Sequence, residues 1–283
     1  MNSNLCVFIL SHGRPDNVKT YRTLRDSGYK GPIFIIVDNM DNTVEKYVEN
    51  YGEKVIVFDK LKAAEQTDSG NNFNKMNSVL FARNICHETA KKLGYKYFLE
   101  LDDDYTGFRF RIDDNLDFGN KKITKIEPII DDMIDFLEFS GAKSIAFAQG
   151  GDLIGGSGNY MIKDGPKLKR KVMNTFFCRT EDEWKFVGIL NDDVNTYITL
   201  GHRGHLFFTI PQVTVDQMDT QSQSGGLTDL YLDQGTYVKS FYSIMYCPSF
   251  VKITVMGNKD MRLHHKIKWK NAVPKILSAE YRK

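Results

Sequence analysis

Three adjacent aspartates, Asp102, Asp103 and Asp104, close the apolar run "YKYFLEL". Carboxylates this close repel one another, and each is costly to desolvate without a counter-charge, so either water or a cation surrounds them. On an extended segment alternate side chains share a face, which sets Asp102 and Asp104 on one side and Asp103 on the other. Two carboxylates on one side suit Mg2+ or Mn2+ and leave coordination positions for water and phosphate oxygens. Such a cation neutralises the charge that a diphosphate gathers as it leaves. A solvated acidic loop is the bland alternative, and the position after a buried strand favours the metal. Two other groups carry suitable chemistry. "NDD", Asn191 to Asp193, precedes a helical pattern, where an aspartate caps the first turn or takes a proton from a reacting hydroxyl. "HH", His264 and His265, supplies imidazole, which is a ligand for Mn2+-class metals or an ordinary exposed side chain.

The elements that must position these groups follow from periodicity. "LCVFIL", "PIFIIVDN", "KVIVFDK" and "YKYFLELDDD" are short apolar runs, the signature of strands buried on both faces. Between them lie "VKTYRTLRDSGYKG", "TVEKYVENYG" and "SVLFARNICHETAKKLG", with helical spacing and glycine stops. Strand and helix alternating in this order predict an α/β chain with a mixed, mainly parallel sheet flanked by helices. Ligands of such sheets gather beyond the carboxyl ends of the strands, here "SHGRP", "VDN" and "DDD". Later segments read as a helix over "IEPIIDDMIDFLEFSGA", a strand over "SIAFAQ", strand, turn and helix from "NTFFCRT" to "NTYITLGHRG", and a strand over "HLFFTIPQVTV". No linker divides the chain. Residues 1–283 are expected to form one domain, with a nucleotide-side half over 1–105 and an acceptor-side half over 106–283.

"GGDLIGGSG" lacks the Lys-Ser/Thr of a phosphate-binding P-loop. Its glycines instead allow close backbone approach to a sugar or base, with Gln149 and Asp152 placed to hydrogen-bond hydroxyls. "QSQSGGLTD" reads as a polar loop able to close over a donor.

A charged share of 26% and a hydrophobic share of 41% exclude a disordered chain. The net charge of +2 hides two basic clusters, "KLKRK" at Lys167 to Lys171 and the C-terminal lysines, which are either solvated surface or a face for a polyanion. Four scattered cysteines form no zinc or disulfide pattern, and no segment reads as a signal peptide or membrane span. A cytoplasmic protein is expected, with no membrane partner. Oligomeric state leaves no trace.

"CVFILSHGRPDNV", "IFIIVDNMDNT" and "ARN" ahead of "YFLELDDD" resemble the nucleotide-sugar half of GT-A glycosyltransferases over about the first 105 residues. Over almost the whole chain, "FAQGGDLIGG", "KRKVMNTFFCRT", "FVGILNDDVNTYITLGHRG", "TQSQSGGLTDLYLDQGTYVKSFYSIM" and "RLHHKIKWKNAVPKI" resemble the TET-associated glycosyltransferases of phages and prophages. The resemblance implies a GT-A fold and transfer of a sugar from a UDP-sugar to a 5-hydroxymethylated pyrimidine, such as 5-hydroxymethylcytosine, in phage DNA. It implies that Asp38 recognises the uridine base, that Ser11 and Arg14 line the nucleotide pocket, and that Arg83 meets phosphate or base. It also implies that Asp102 serves donor and Mn2+ or Mg2+ together with Asp104, that His264 or His265 completes the metal site, and that Asp193, or next Asp192, is the catalytic base. Given a DNA acceptor, Lys169 and Arg170 suit phosphate contacts, while Trp269 and Tyr160 are candidates to stack on a base. A polysaccharide or other small hydroxylated acceptor, a non-catalytic nucleic-acid-binding protein and a metal nuclease remain as alternatives. The nuclease leaves "VDN" and "ARN" without a role.

Overall fold

The computed structural model describes residues 3–70, 76–113, 115, 118–149, 165–170, 172, 174–217, 238–256 and 261–275. The strands are β1 (Leu5–Leu10), β2 (Ile33–Asp38), β3 (Val55–Phe58), β4 (Tyr97–Asp102), β5 (Tyr105–Ile112), β6 (Phe118–Lys122), β7 (Ser144–Gln149), β8 (Thr175–Arg179) and β9 (Phe207–Gln217). They form one nine-stranded sheet in the order β3-β2-β1-β4-β8-β7-β9-β5-β6. Pairing of β1 with β2 and β4, of β2 with β3, and of β7 with β9 is parallel, whereas β5 and β8 run against their neighbours. The α/β expectation of a mixed sheet, mainly of one direction, is met. β10 (Val251–Met256) and β11 (Arg262–Ile267) make a separate antiparallel pair.

The helices are α1 (Lys19–Asp26), α2 (Val44–Tyr51), α3 (Lys60–Glu65), α4 (Leu80–Asn84), α5 (Cys86–Lys92), α6 (Glu127–Ser140), α7 (Asp192–Gly201), α8 (238–246) and α9 (Trp269–Ala272). Side chains of a strand alternate between faces, so the central strands feed two cores. Cys6, Phe8, Leu10 and Phe98 pack with Phe176, Trp184 and Tyr197 on one face, and Val7, Ile9, Leu99 and Leu101 pack with Leu137 and Phe147 on the other. This explains why every residue of β1 is buried.

Three expectations change. The helix expected over "SVLFARNICHETAKKLG" is broken at Ile85 into α4 and α5. β4 ends at Asp102, and Asp103 and Asp104 form a turn into β5, a strand not foreseen. Alternation therefore stops at Asp102, and Asp104 does not follow it by strand geometry. The two histidines occupy β11, a strand likewise not foreseen.

Candidate active site

β1 lies between β2 and β4, and the chain turns from one side of it to the other, which makes the crevice beside β1 the expected ligand position. The register sets Leu10 beside Asp102 and beside Ile36, so the loop after β1, the end of β2 and the acidic turn share one edge.

α1 fixes the turn. Thr20 donates its hydroxyl to the Asp102 carbonyl (2.6 Å), accepts from the Tyr105 amide (2.9 Å) and donates its own amide to the Asp103 carbonyl (3.1 Å). The three aspartates then diverge. Asp103 accepts from Ser11 Oγ at 2.6 Å and pairs with Arg14 Nη1 at 3.2 Å. Asp104 accepts from Gln217 Nε2 at 3.2 Å. Gln217 Oε1 in turn accepts from Asn174 (3.1 Å) and from Gln149 (3.5 Å), which ties Gln149 to the acidic turn through one intermediary.

Asp102 faces Arg83. Residues 98, 100 and 102 share a face of β4, and Arg83, on α4 beneath that face, reaches two of them. Nη1 lies 2.6 Å from Glu100 Oε1 and Nη2 3.0 Å from Asp102 Oδ1. Its Nε is 2.9 Å from Asp192 Oδ2, a charge contact whose N–H is not aligned for a hydrogen bond. Phe176 and Phe186 present ring faces to the guanidinium at 5.0 and 5.3 Å. Arg83 is 3% exposed, whereas the Asp102 side chain keeps 22% of its surface open. Burial pushes the Glu100 carboxyl up to about 7 and that of Asp102 up to about 8, against the pull of Arg83. Burial likewise raises Asp192, to about 6, with Asp193 adding repulsion. The resemblance assigned Arg83 to the nucleotide. Its guanidinium is engaged by three carboxylates.

Asp192 and Asp193 open α7, with Asn191 before them in the left-handed region at φ 56°. Asn191 donates Nδ2 to the Lys239 carbonyl at 2.8 Å and sits 3.3 Å from His265 Nδ1. His265 is thus brought to the acidic helix start, with His264 stacked beside it at 4.3 Å. Asp192 is buried and Asp193 half-buried.

At the end of β2, Asp38 is buried and accepts from His12 Nδ1 (2.8 Å), Lys60 Nζ (3.2 Å) and the Met40 amide (3.1 Å). Burial alone would raise its carboxyl, but the His12 bond and the Lys60 charge outweigh it and hold it low. Ser11 shares its hydroxyl between Tyr47 (2.7 Å) and Asp103, and the Arg14 amide donates to Tyr47 (2.8 Å).

The structure therefore gathers Ser11, Arg14, Asp38, Asp102, Asp104 and Gln149 at the carboxyl edge of the strands, joins Arg83 and Asp192 to Asp102, and brings His265 to the start of the helix that carries Asp192 and Asp193. Lys169 is exposed and Arg170 half-buried. Trp269 is half-buried and packs edge-on against Tyr197 at 5.5 Å, beside the core. Asp152, Tyr160, "GGDLIGGSG" and "QSQSGGLTD" lie outside the described residues. His12, Glu100 and Gln217 were missed. Glu100 had a signal, a charge inside an apolar run, which is affordable only when paired. Gln217 had none.

The family model described as TET-Associated Glycosyltransferase matches residues 5–226. No curated protein matches the chain. Among solved structures, glucosyl-3-phosphoglycerate synthase from Mycobacterium tuberculosis in complex with Mn2+, uridine diphosphate and phosphoglyceric acid is similar, at 10% identity over 94% of this chain and 87% of that chain, with a TM-score of 0.46. The same enzyme with Mn2+, uridine diphosphate and glucosyl-3-phosphoglycerate gives 11% identity over 94% and 88%, with a TM-score of 0.44.

Proposed function

The chain belongs to the TET-associated glycosyltransferase family, and on that premise we propose that it moves a sugar from a UDP-sugar to the hydroxymethyl group of a 5-hydroxymethylated pyrimidine, first of all 5-hydroxymethylcytosine, in phage DNA. One observation carries the reading: the aspartate ending β4, Asp102, and the first aspartate of α7, Asp192, meet around Arg83 at the carboxyl edge of the sheet.

The donor set suits a hard cation. Glu100, Asp102, Asp103, Asp104, Asp192 and Asp193 crowd this edge, and Arg83 and Arg14 are the guanidinium groups paired with them. Among the described residues no group of three His, Cys, Asp or Glu side chains is preassembled for a metal. Asp102 and Asp104 would be the pair to hold Mn2+ or Mg2+, with positions left for water and phosphate oxygens, and His264 or His265 would join them. A divalent cation supplies charge stabilisation for the departing diphosphate.

The chain's own side chains do the rest. Asp193 accepts the proton of the acceptor hydroxyl as its oxygen bonds to the anomeric carbon and the bond to the UDP oxygen breaks. Ser11, Arg14 and Asp38 line the donor side, Gln149 the acceptor side, and Lys169 and Arg170 face DNA phosphates. Residues 1–283 act as one catalytic unit.

Incubation with Mn2+, a panel of UDP-sugars and hydroxymethylated DNA, then digestion to nucleosides and mass spectrometry, tests this. A nucleoside heavier by one sugar residue is expected. Sugar found only on water or oligosaccharide would overturn the DNA acceptor.

A further inference from the structure

We propose that Arg83 and Asn84 form a brace that sets the spacing between the donor-side carboxylate Asp102 and the acceptor-side carboxylates at the start of α7, and that Arg83 is a positioning residue which does not touch the donor. The proposal rests on the glycosyltransferase reading above and assigns a role within it.

The guanidinium presents three nitrogens to three carboxylates, Glu100 at 2.6 Å, Asp102 at 3.0 Å and Asp192 at 2.9 Å. At 3% exposure, packed against the mutually touching rings of Phe176 and Phe186, it offers almost no surface to a ligand arriving from solvent. Glu100 is 1% exposed and belongs to a central strand, so it anchors the arginine to the rigid part of the sheet. Asp102 and Asp192 are then set relative to that anchor. A planar fork serves Glu100 and Asp102 in fixed directions, which a single ammonium cannot, and its charge holds Asp192 beside them.

Asn84 repeats the link one residue on. Its Oδ1 accepts from the Phe186 amide at 2.7 Å and its Nδ2 donates to the Phe186 carbonyl at 3.0 Å. The segment it grips runs directly into α7 and is tied to that helix. The Val187 amide donates to Thr196 Oγ1 (3.0 Å), and Asn195 Nδ2 donates to the carbonyls of Val187 (3.2 Å) and Leu190 (2.9 Å). α4 therefore holds the helix start by its backbone through Asn84 and by its carboxylate through Arg83. On the opposite side Asn191 bonds to the Lys239 carbonyl and approaches His265. A helix start clamped from both sides presents Asp193 in one place. Asp192, engaged by Arg83, belongs to the clamp.

The experiment compares wild type, Arg83→Lys and Asn84→Ala for UDP binding with Mn2+ by titration calorimetry and for sugar transfer. The brace predicts that both variants bind one UDP per chain within about threefold of wild-type affinity. It predicts that kcat falls by about 10²-fold in Arg83→Lys, the scale of an ångström of misplacement, and falls in Asn84→Ala also. A merely destabilising substitution lowers the number of sites instead. Wild-type kcat in Asn84→Ala overturns the brace even if Arg83→Lys fails to fold. UDP affinity lost tenfold or more in Arg83→Lys makes Arg83 a donor contact and overturns the proposal. A wild type that binds no UDP overturns the donor reading, and the brace falls with it.

Discussion

Asp38 and Asp193 are the same side chain at the same edge of the sheet, and their neighbours separate their chemistry. Asp38 is buried with three donors on it, and one of them, His12, keeps 46% of its side chain exposed. Asp38 Oδ2 bonds to the His12 ring at Nδ1 and raises its pKa, with the Asp41 charge assisting, and burial and Lys60 opposing. A histidine whose folded pKa exceeds its unfolded value near 6.5 stabilises the fold fully below that value, and the contribution is lost as pH rises through the folded pKa. Stability of wild type minus that of His12→Gln, from urea melts, should therefore shrink as pH rises above about 6.5. A constant difference would remove the ion pair. Asp193 is half-buried at a helix start, where a proton acceptor can meet substrate. Asp193→Asn should bind UDP as wild type does while kcat falls by about 10² to 10⁴, the usual contribution of a general base. Full turnover in that variant would exclude Asp193. Asp104→Asn, with the Gln217 contact still possible, should weaken UDP binding in Mn2+ but not the fold, and unchanged binding heats would move the metal elsewhere.

At the scale of elements, α5 rests on β4 through a histidine that must stay neutral. His87 is buried against Phe98 (4.8 Å) and Trp184 (5.9 Å), with Nδ1 3.4 Å from the Thr180 carbonyl. Burial lowers its pKa to about 4, with Lys143 adding to that and the Thr180 carbonyl, Glu183 and Asp182 opposing. A depressed histidine stabilises above its unfolded pKa and loses that contribution as pH falls toward the folded value. Between pH 6.5 and 4 the loss approaches about 3 kcal/mol, at 1.36 kcal/mol per unit. His87→Leu should lack that part of the acid sensitivity, read as the difference between the two proteins in denaturant melts. The elements that carry the site differ in how far the sequence exposes them. β1, β2 and β4 are legible because central parallel strands are apolar throughout, and their polar ends mark the ligand edge. β5 is hidden because the Asp103–Asp104 turn contains neither Gly nor Pro, and because Arg109 and Arg111 alternate with Phe108 and Phe110 only after the strand has begun. The meeting of Arg83 with Asp192 is not legible at all: it depends on α7 returning over β4, and neither residue's local pattern encodes that contact.

At the scale of the molecule, the two halves of the chain share one sheet, since β4 of the first half pairs antiparallel with β8 of the second. The two halves are therefore joined by backbone hydrogen bonds rather than by a hinge. The basic clusters are joined as well. Tyr197 donates its hydroxyl to the Leu168 carbonyl and packs its ring on Trp269. Lys169 and Arg170 thus adjoin the segment that carries Lys266, Lys268 and Lys270, all three exposed. A net charge of +2 gives no general attraction to a polyanion, so any affinity for DNA must come from such a local face. Neutralising about four phosphates gives a log–log salt slope near −3.6, or roughly a 10²-fold loss of affinity between 50 and 200 mM salt. Replacing Lys268 and Lys270 together by alanine should flatten that slope by about 2, and should leave UDP binding unchanged because neither lysine adjoins the acidic turn. Fluorescence anisotropy with hydroxymethylated duplex and single strands measures both quantities. A slope near zero in the wild type would mean that this face meets no phosphates, and would turn the search for an acceptor toward uncharged hydroxyl compounds.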